Sequence, residues 1–112
     1  MTYLTIIVAI PLATTVVAAP SNLSAMDFSI VKRDGREVLF ADGLIEIGDA
    51  ERYRAALQST EVQPHGARVV LLNSPGGSVY SAFEMSAVND DFTVHMVIPD
   101  GASCASACAS LI

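Results

Sequence analysis

Apolar and polar positions fall into short blocks whose period switches between two and about 3.6, the pattern of alternating strands and helices. Asp27-Phe28-Ser29-Ile30-Val31 predicts a strand. Asp34-Gly35 marks a two-residue hairpin turn, whose central residues both need positive φ. Arg36 to Ala41 predicts the returning strand, Asp42-Gly43 a second turn and Leu44-Ile45-Glu46-Ile47 a third short strand. At Gly48-Asp49 the period changes. Asp49 reads as an N-cap, its carboxylate accepting from first-turn amides, and Ala50 to Gln58 as a helix with Tyr53, Ala56 and Leu57 on one side. Ser59 to Gly66 is polar, contains Pro64 and reads as a loop.

Arg68-Val69-Val70-Leu71-Leu72-Asn73 is a continuous β-branched and aliphatic run, which suits a parallel strand covered on both faces. Ser74-Pro75-Gly76-Gly77 ends it, and a helix follows from about Ser78 to Asn89. That helix is expected to place Val79, Ala82, Phe83 and Ser86 on one face, with Glu84, Asn89 and Asp90 toward water. Phe92 to Ile98 predicts another strand, Pro99-Asp100-Gly101 a turn, and Ala105 to Ile112 the start of a small-residue helix. Strand–helix–strand order calls for parallel pairing through right-handed crossovers, so the expected class is α/β with parallel central strands.

Charge changes this picture at the N-terminus. No side chain between Met1 and Met26 is charged, and the run Leu4 to Ile10 continues past Pro11 to Val16-Val17-Ala18-Ala19. An apolar stretch ending in small residues is the pattern of an export signal, with Val16/Ala18 or Leu23/Ala25 before the cleavage point. Export is the favoured reading. A retained membrane anchor and a buried element of a cytosolic domain stay open, since Met1-Thr2-Tyr3 offers only the α-amino group as a positive charge. Residues 1–25 are thus expected to be a signal peptide or N-terminal anchor, and residues 26–112 a domain. Twelve acidic against six basic side chains, none basic after Arg68, exclude a nucleic-acid binder, which needs clustered Lys and Arg. Two Cys exclude a disulfide-stapled mini-protein.

The chemistry concentrates in two segments, Asn73-Ser74-Pro75-Gly76-Gly77-Ser78-Val79 and Cys104-Ala105-Ser106-Ala107-Cys108. A Gly pair at the C-terminal end of a buried parallel strand leaves backbone N–H groups open to a ligand. Ser106, after the next strand, comes to the same edge, where ligands of open α/β sheets sit. Its Oγ near a helix N-terminus would face a partial positive charge. A serine nucleophile needs that setting and two N–H donors for the oxyanion. Cys104 and Cys108 are open to three readings: a disulfide, two buried thiols, or half a metal site that no neighbouring ligand completes. On one regular helix the i and i+4 positions are too far apart to bridge; with Cys104 before the helix they are not.

These two segments resemble the Clp protease proteolytic subunit and its ClpP/crotonase-like superfamily. Exported Clp-protease-like bacterial proteins are the most similar, sharing Gly48-Asp49-Ala50, the Asn73 loop and the Cys104 to Cys108 segment. Ser106 follows Gly77 by 29 positions, the separation at which that family's loop precedes its nucleophile. The resemblance spans roughly Leu39 to Ile112. It implies an α/β fold of ββα spiral units with parallel central strands. Ser106 matches the nucleophile, the amides of Gly77 and Ala107 match the oxyanion hole, and Gly76 shapes the turn. It further implies serine-type hydrolysis of a peptide or protein substrate, in the periplasm or secreted, with inner-membrane anchoring as the alternative. No cofactor or metal is implied, and homo-oligomers enter by analogy only.

Two departures qualify it. Cys104 and Cys108 stand where the family has small residues. The family's general-base His and its Asp come well beyond the nucleophile, whereas Ser106 is followed by only six residues. The chain is therefore expected to be a truncated form whose C-terminal part is missing, and inactive by itself. His65 reads as a solvated loop residue and His95 as a strand residue. An alternative function is a non-catalytic exported protein that keeps the fold for binding or assembly. A membrane-bound signal peptide peptidase shares the Asn73 loop but uses a Ser/Lys dyad, and no Lys follows Lys32.

Overall fold

The Asp34-Gly35 turn closes as its chemistry requires. In the computed structural model, which describes residues 25–112, Asp34 and Gly35 have φ of 54° and 78°. They join β1 (Asp27–Arg33) to β2 (Arg36–Asp42) in an antiparallel hairpin with Arg33 opposite Arg36. The expected signal or anchor segment lies outside the described residues, apart from Ala25. Among the described residues no helix is long and apolar enough to cross a membrane.

From β2 the chain crosses through α1 (Asp49–Gln58) to β3 (Arg68–Asn73), and through α2 (Val79–Asp90) to β4 (Val94–Val97). The sheet order is β1-β2-β3-β4, with β2, β3 and β4 parallel. Right-handed crossovers in one direction put both helices on one face, and α1 packs on α2. The molecule is thus mixed α/β, with the expected parallel centre. A short 3-10 helix, Ser106–Leu111, closes against α2.

Side-chain alternation along the strands supplies the core. Leu39 and Ala41 of β2, and Val70 and Leu72 of β3, meet Tyr53 and Leu57 of α1 and Ala82, Met85 and Val88 of α2. Each such large side chain, fully buried, contributes about 1.5–3 kcal/mol. On the opposite face Leu71 is buried but Val69 is only half-buried, and both helices lie on the other side, so the helical cover expected on both faces of β3 is present on one. Tyr53 stacks on Phe28 at 5.8 Å, and its hydroxyl donates to Asn89 Oδ1 at 2.5 Å. Burial pushes its phenol above the usual range, against a lowering effect of the Asn89 bond. Beyond the start of β3, Glu37 finds its backbone partners in the loop. Its N–H donates to Glu61 Oε1 and its carbonyl accepts from Gln63 Nε2.

Three local expectations are corrected. Leu44–Ile47 is not a strand: the Gly43 N–H donates to Asn73 O, directing the chain across the end of β3, and Ile45 makes a single parallel bridge to Gly77. Asp49 is not the N-cap, a place taken by Gly48 with no side-chain cap. Its buried carboxylate instead accepts from Glu46 N at 2.7 Å, Met26 N at 3.3 Å and Arg52 Nη1 at 2.7 Å, tying β1 to the start of α1. The buried face of α2 is Ser81, Ala82, Met85 and Val88, which leaves Val79, Tyr80 and Phe83 exposed. Ala82, Met85 and Val88 fill the core from α2, and Asn89, expected toward water, is half-buried because it accepts from the Tyr53 hydroxyl.

Candidate functional site

Strands β2 and β3 end at one edge, and polar groups there knit three segments together. Asn73 Nδ2 donates to Asp42 Oδ1 at 2.9 Å, and its Oδ1 accepts from Ser103 N at 2.9 Å. Ser74 is fully buried; its N–H donates to Ser103 O at 2.7 Å and its carbonyl accepts from Ala105 N at 3.1 Å. This pair is a parallel bridge between Ser74 and Cys104, so the segment after β4 continues the sheet beside the Gly-Gly loop. Ser74 Oγ also accepts from Gly76 N at 3.1 Å, which turns the loop back on itself.

Gly76 and Gly77 have φ of 110° and 138°, a region from which side chains are sterically excluded. Close approach excludes them as well. A Cβ on Gly77 would collide with Ile45 O and lie 2.7 Å from Ile45 N. A Cβ on Gly76 would lie 2.9 Å from Ala105 O and from Ser106 Cβ, and 3.2 Å from Ala107 N. The bonds Ile45 N to Gly76 O and Ser78 N to Ile45 O, each 2.8 Å, clamp the loop on its other side. Ser78 then caps α2, its Oγ accepting from Ser81 N at 3.1 Å.

Ser106, 29 positions beyond Gly77, lands against this loop. It is exposed and has a φ of 54°, in the left-handed region. Ala107, next in the chain, is buried. Among the described residues neither the Gly77 N–H nor the Ala107 N–H donates to an acceptor. Of the three readings of the cysteines, the structure has the disulfide: Cys104 and Cys108 are bonded, with Cα atoms 5.1 Å apart. Cys104 lies before the helix, the arrangement that makes an i, i+4 bridge feasible. The helix itself differs from expectation. Six residues of 3-10 helix have little aligned dipole, so the individual amides are what this turn offers an anion.

The histidines are not brought to this edge. His95 pairs in register with Val69 in β3, five residues before Ser74, which is about 17 Å along a strand. His65 lies beside it, the two rings 6.4 Å apart. Asp42, the carboxylate at the end of β2, is held by Asn73. Among the described residues no three His, Cys, Asp or Glu side chains gather to hold a metal ion.

Sequence reasoning singled out Ser106, Gly77 and Ala107 but gave Asn73 and Ser74 no separate roles. Two polar residues ending an apolar strand were the available signal, since a buried hydroxyl needs bonded partners. The chain matches no protein-family model, no curated protein and no solved structure.

Proposed function

We propose that the chain carries the nucleophile half of a serine-type hydrolase site, of the exported Clp-protease-like kind, acting on peptide or protein substrates. One observation carries the reading. Ser106 is an exposed, non-glycine residue in left-handed backbone, set against Gly76, and among the described residues the amides of Gly77 and Ala107 have no acceptor. Backbone of this kind costs about 1–2 kcal/mol and concentrates at functional sites. A sharp strand-to-helix turn that presents a serine Oγ is how hydrolases expose a nucleophile. In the proposed chemistry Ser106 Oγ attacks the scissile carbonyl, and the amides of Gly77 and Ala107 receive the developing oxyanion. The ClpP/crotonase-like spiral is the finer fold proposed for the α/β sheet. The disulfide supports a periplasmic or secreted location, where such bonds persist, with inner-membrane anchoring through residues 1–25 as the alternative.

A second reading is favoured by one observation, the distance of both His residues from Ser106. Without a base to take its proton, a serine is a weak nucleophile at neutral pH. A protein that keeps the fold for binding or assembly needs no base. The experiment is labelling of the 112-residue chain by a fluorophosphonate with and without added imidazole as an external base. The hydrolase reading expects no peptide turnover by the chain alone and imidazole-dependent labelling that Ser106→Ala abolishes. Equal background labelling of wild type and Ser106→Ala at every imidazole concentration favours the binding reading.

A further inference from the structure

A non-glycine residue at positive φ needs something to hold it there, and Ser106 has few local restraints. Ala105 and Ser106 are both exposed, so packing does not fix them, and the bond from Ala105 N to Ser74 O holds the turn only on the near side of Ser106. One backbone bond spans the turn, from Cys108 N to Ala105 O at 3.0 Å. What flanks the turn is firm. Cys104 is bridged to the fully buried Ser74, and Cys108 lies in the core with Leu111 and Met85. The Cys104–Cys108 bond joins these two anchors and closes a ring around Ala105, Ser106 and Ala107.

We propose that this disulfide positions Ser106, so that the nucleophile turn is assembled in the oxidised protein and released on reduction. The proposal rests on the reading of Ser106 as a nucleophile. In the oxidised ring the ends of a three-residue span are fixed, and Ser106 Cβ and the Ala107 N–H are held against Gly76. Reduction breaks one S–S bond and delivers two electrons and two protons to Cys104 and Cys108, supplied by a dithiol that closes to its own disulfide. Cys104, half-buried, is the sulfur that an attacking thiolate reaches; Cys108 is enclosed. Freed of the ring, Ser106 relaxes to negative φ and leaves Gly76. The bonds from Ser103 N to Asn73 and from Ser74 N to Ser103 O stay, because they lie upstream of the ring, and Ala105 N keeps its bond to Ser74 O, so the release acts on Ser106 and Ala107. Cys104 and Cys108 are therefore positioning residues, acting on the site through Ser106.

The test is proton NMR on the 112-residue chain as oxidised, after dithiothreitol, and as Cys104→Ala, which leaves Cys108 in the core. Cross-relaxation from Gly76 Hα to Ser106 Hβ and to the Ala107 N–H is expected in the oxidised chain. It should be lost in the other two states, while contacts between the Phe28 and Tyr53 rings persist in all three. Persistence of the Gly76 contacts after reduction overturns the proposal. Melting of the whole domain on reduction overturns it too, because the bond would then be a global staple. Fluorophosphonate labelling with imidazole, run on the same samples, separates the two claims. Redox-dependent contacts without labelling in any state leave the positioning role standing and refute the hydrolase reading. Equal Ser106 labelling in oxidised and reduced chains supports the hydrolase reading and refutes the positioning role.

Discussion

Gly77→Ala is the substitution whose cost is set most directly by the geometry of the loop. The new Cβ falls on Ile45 O, and φ at this position is 138°. Relief requires Ile45 to move away, breaking the bonds Ile45 N to Gly76 O and Ser78 N to Ile45 O. At about 1 kcal/mol each these contribute about 2 kcal/mol. Holding alanine at positive φ costs about 1–2 kcal/mol more. The expected destabilisation is therefore about 3–4 kcal/mol, a large part of the stability of a domain this size. Gly35→Ala is the control. Gly35 also has positive φ, 78°, but nothing lies within 4 Å of its added Cβ. It should lose only the backbone part, about 1–2 kcal/mol. Urea titrations followed by far-ultraviolet circular dichroism measure both, provided the slopes agree. A cost for Gly77→Ala within about 0.5 kcal/mol of the Gly35→Ala cost would refute the close approach of the loop to Ile45.

Asp49→Ala should destabilise by about 2–4 kcal/mol, because the Glu46 and Met26 amides lose their acceptor; thermal denaturation reads this out. The exposed guanidinium of Arg52 contributes little to that cost. Ser78→Ala should cost about 1 kcal/mol through loss of the α2 cap. Ser81→Ala should be neutral or stabilising by up to about 1 kcal/mol in the same urea assay, since among the described residues its buried Oγ has no partner. Burial raises the Tyr53 phenol, so the folded chain holds that proton more tightly than the unfolded one. The resulting stability is fully present below about pH 10 and declines as pH rises further. Urea midpoints that fall from pH 9 to pH 11 in wild type but less in Tyr53→Phe would show it.

The parts legible in the sequence were those with local causes. Asp34-Gly35 names its own turn, and the run Val69 to Leu72 names a buried parallel strand. The Gly-Gly pair and Ser106 could be brought to one edge by topology alone. What escaped depended on tertiary packing or on backbone directions. Leu44 to Ile47 alternates like a strand, yet Gly43 sends it across the end of β3. Val79 and Phe83 look like core, but both stay exposed because the helix turns Ala82, Met85 and Val88 inward. Asp49 precedes a helix as a cap does, while its carboxylate serves Glu46 and Met26 instead. The state of Cys104 and Cys108 hinged on where the last helix starts, which propensity does not decide for a run of Ala, Ser and Cys.

Whether Ser106 is a nucleophile is tested most directly by site-resolved mass spectrometry of the oxidised chain after exposure to a fluorophosphonate over a range of imidazole concentrations. A single phosphonylated peptide carrying Ser106 is expected, its yield rising with imidazole and falling to background in Ser106→Ala. Modification spread over the exposed serines without dependence on imidazole would contradict it.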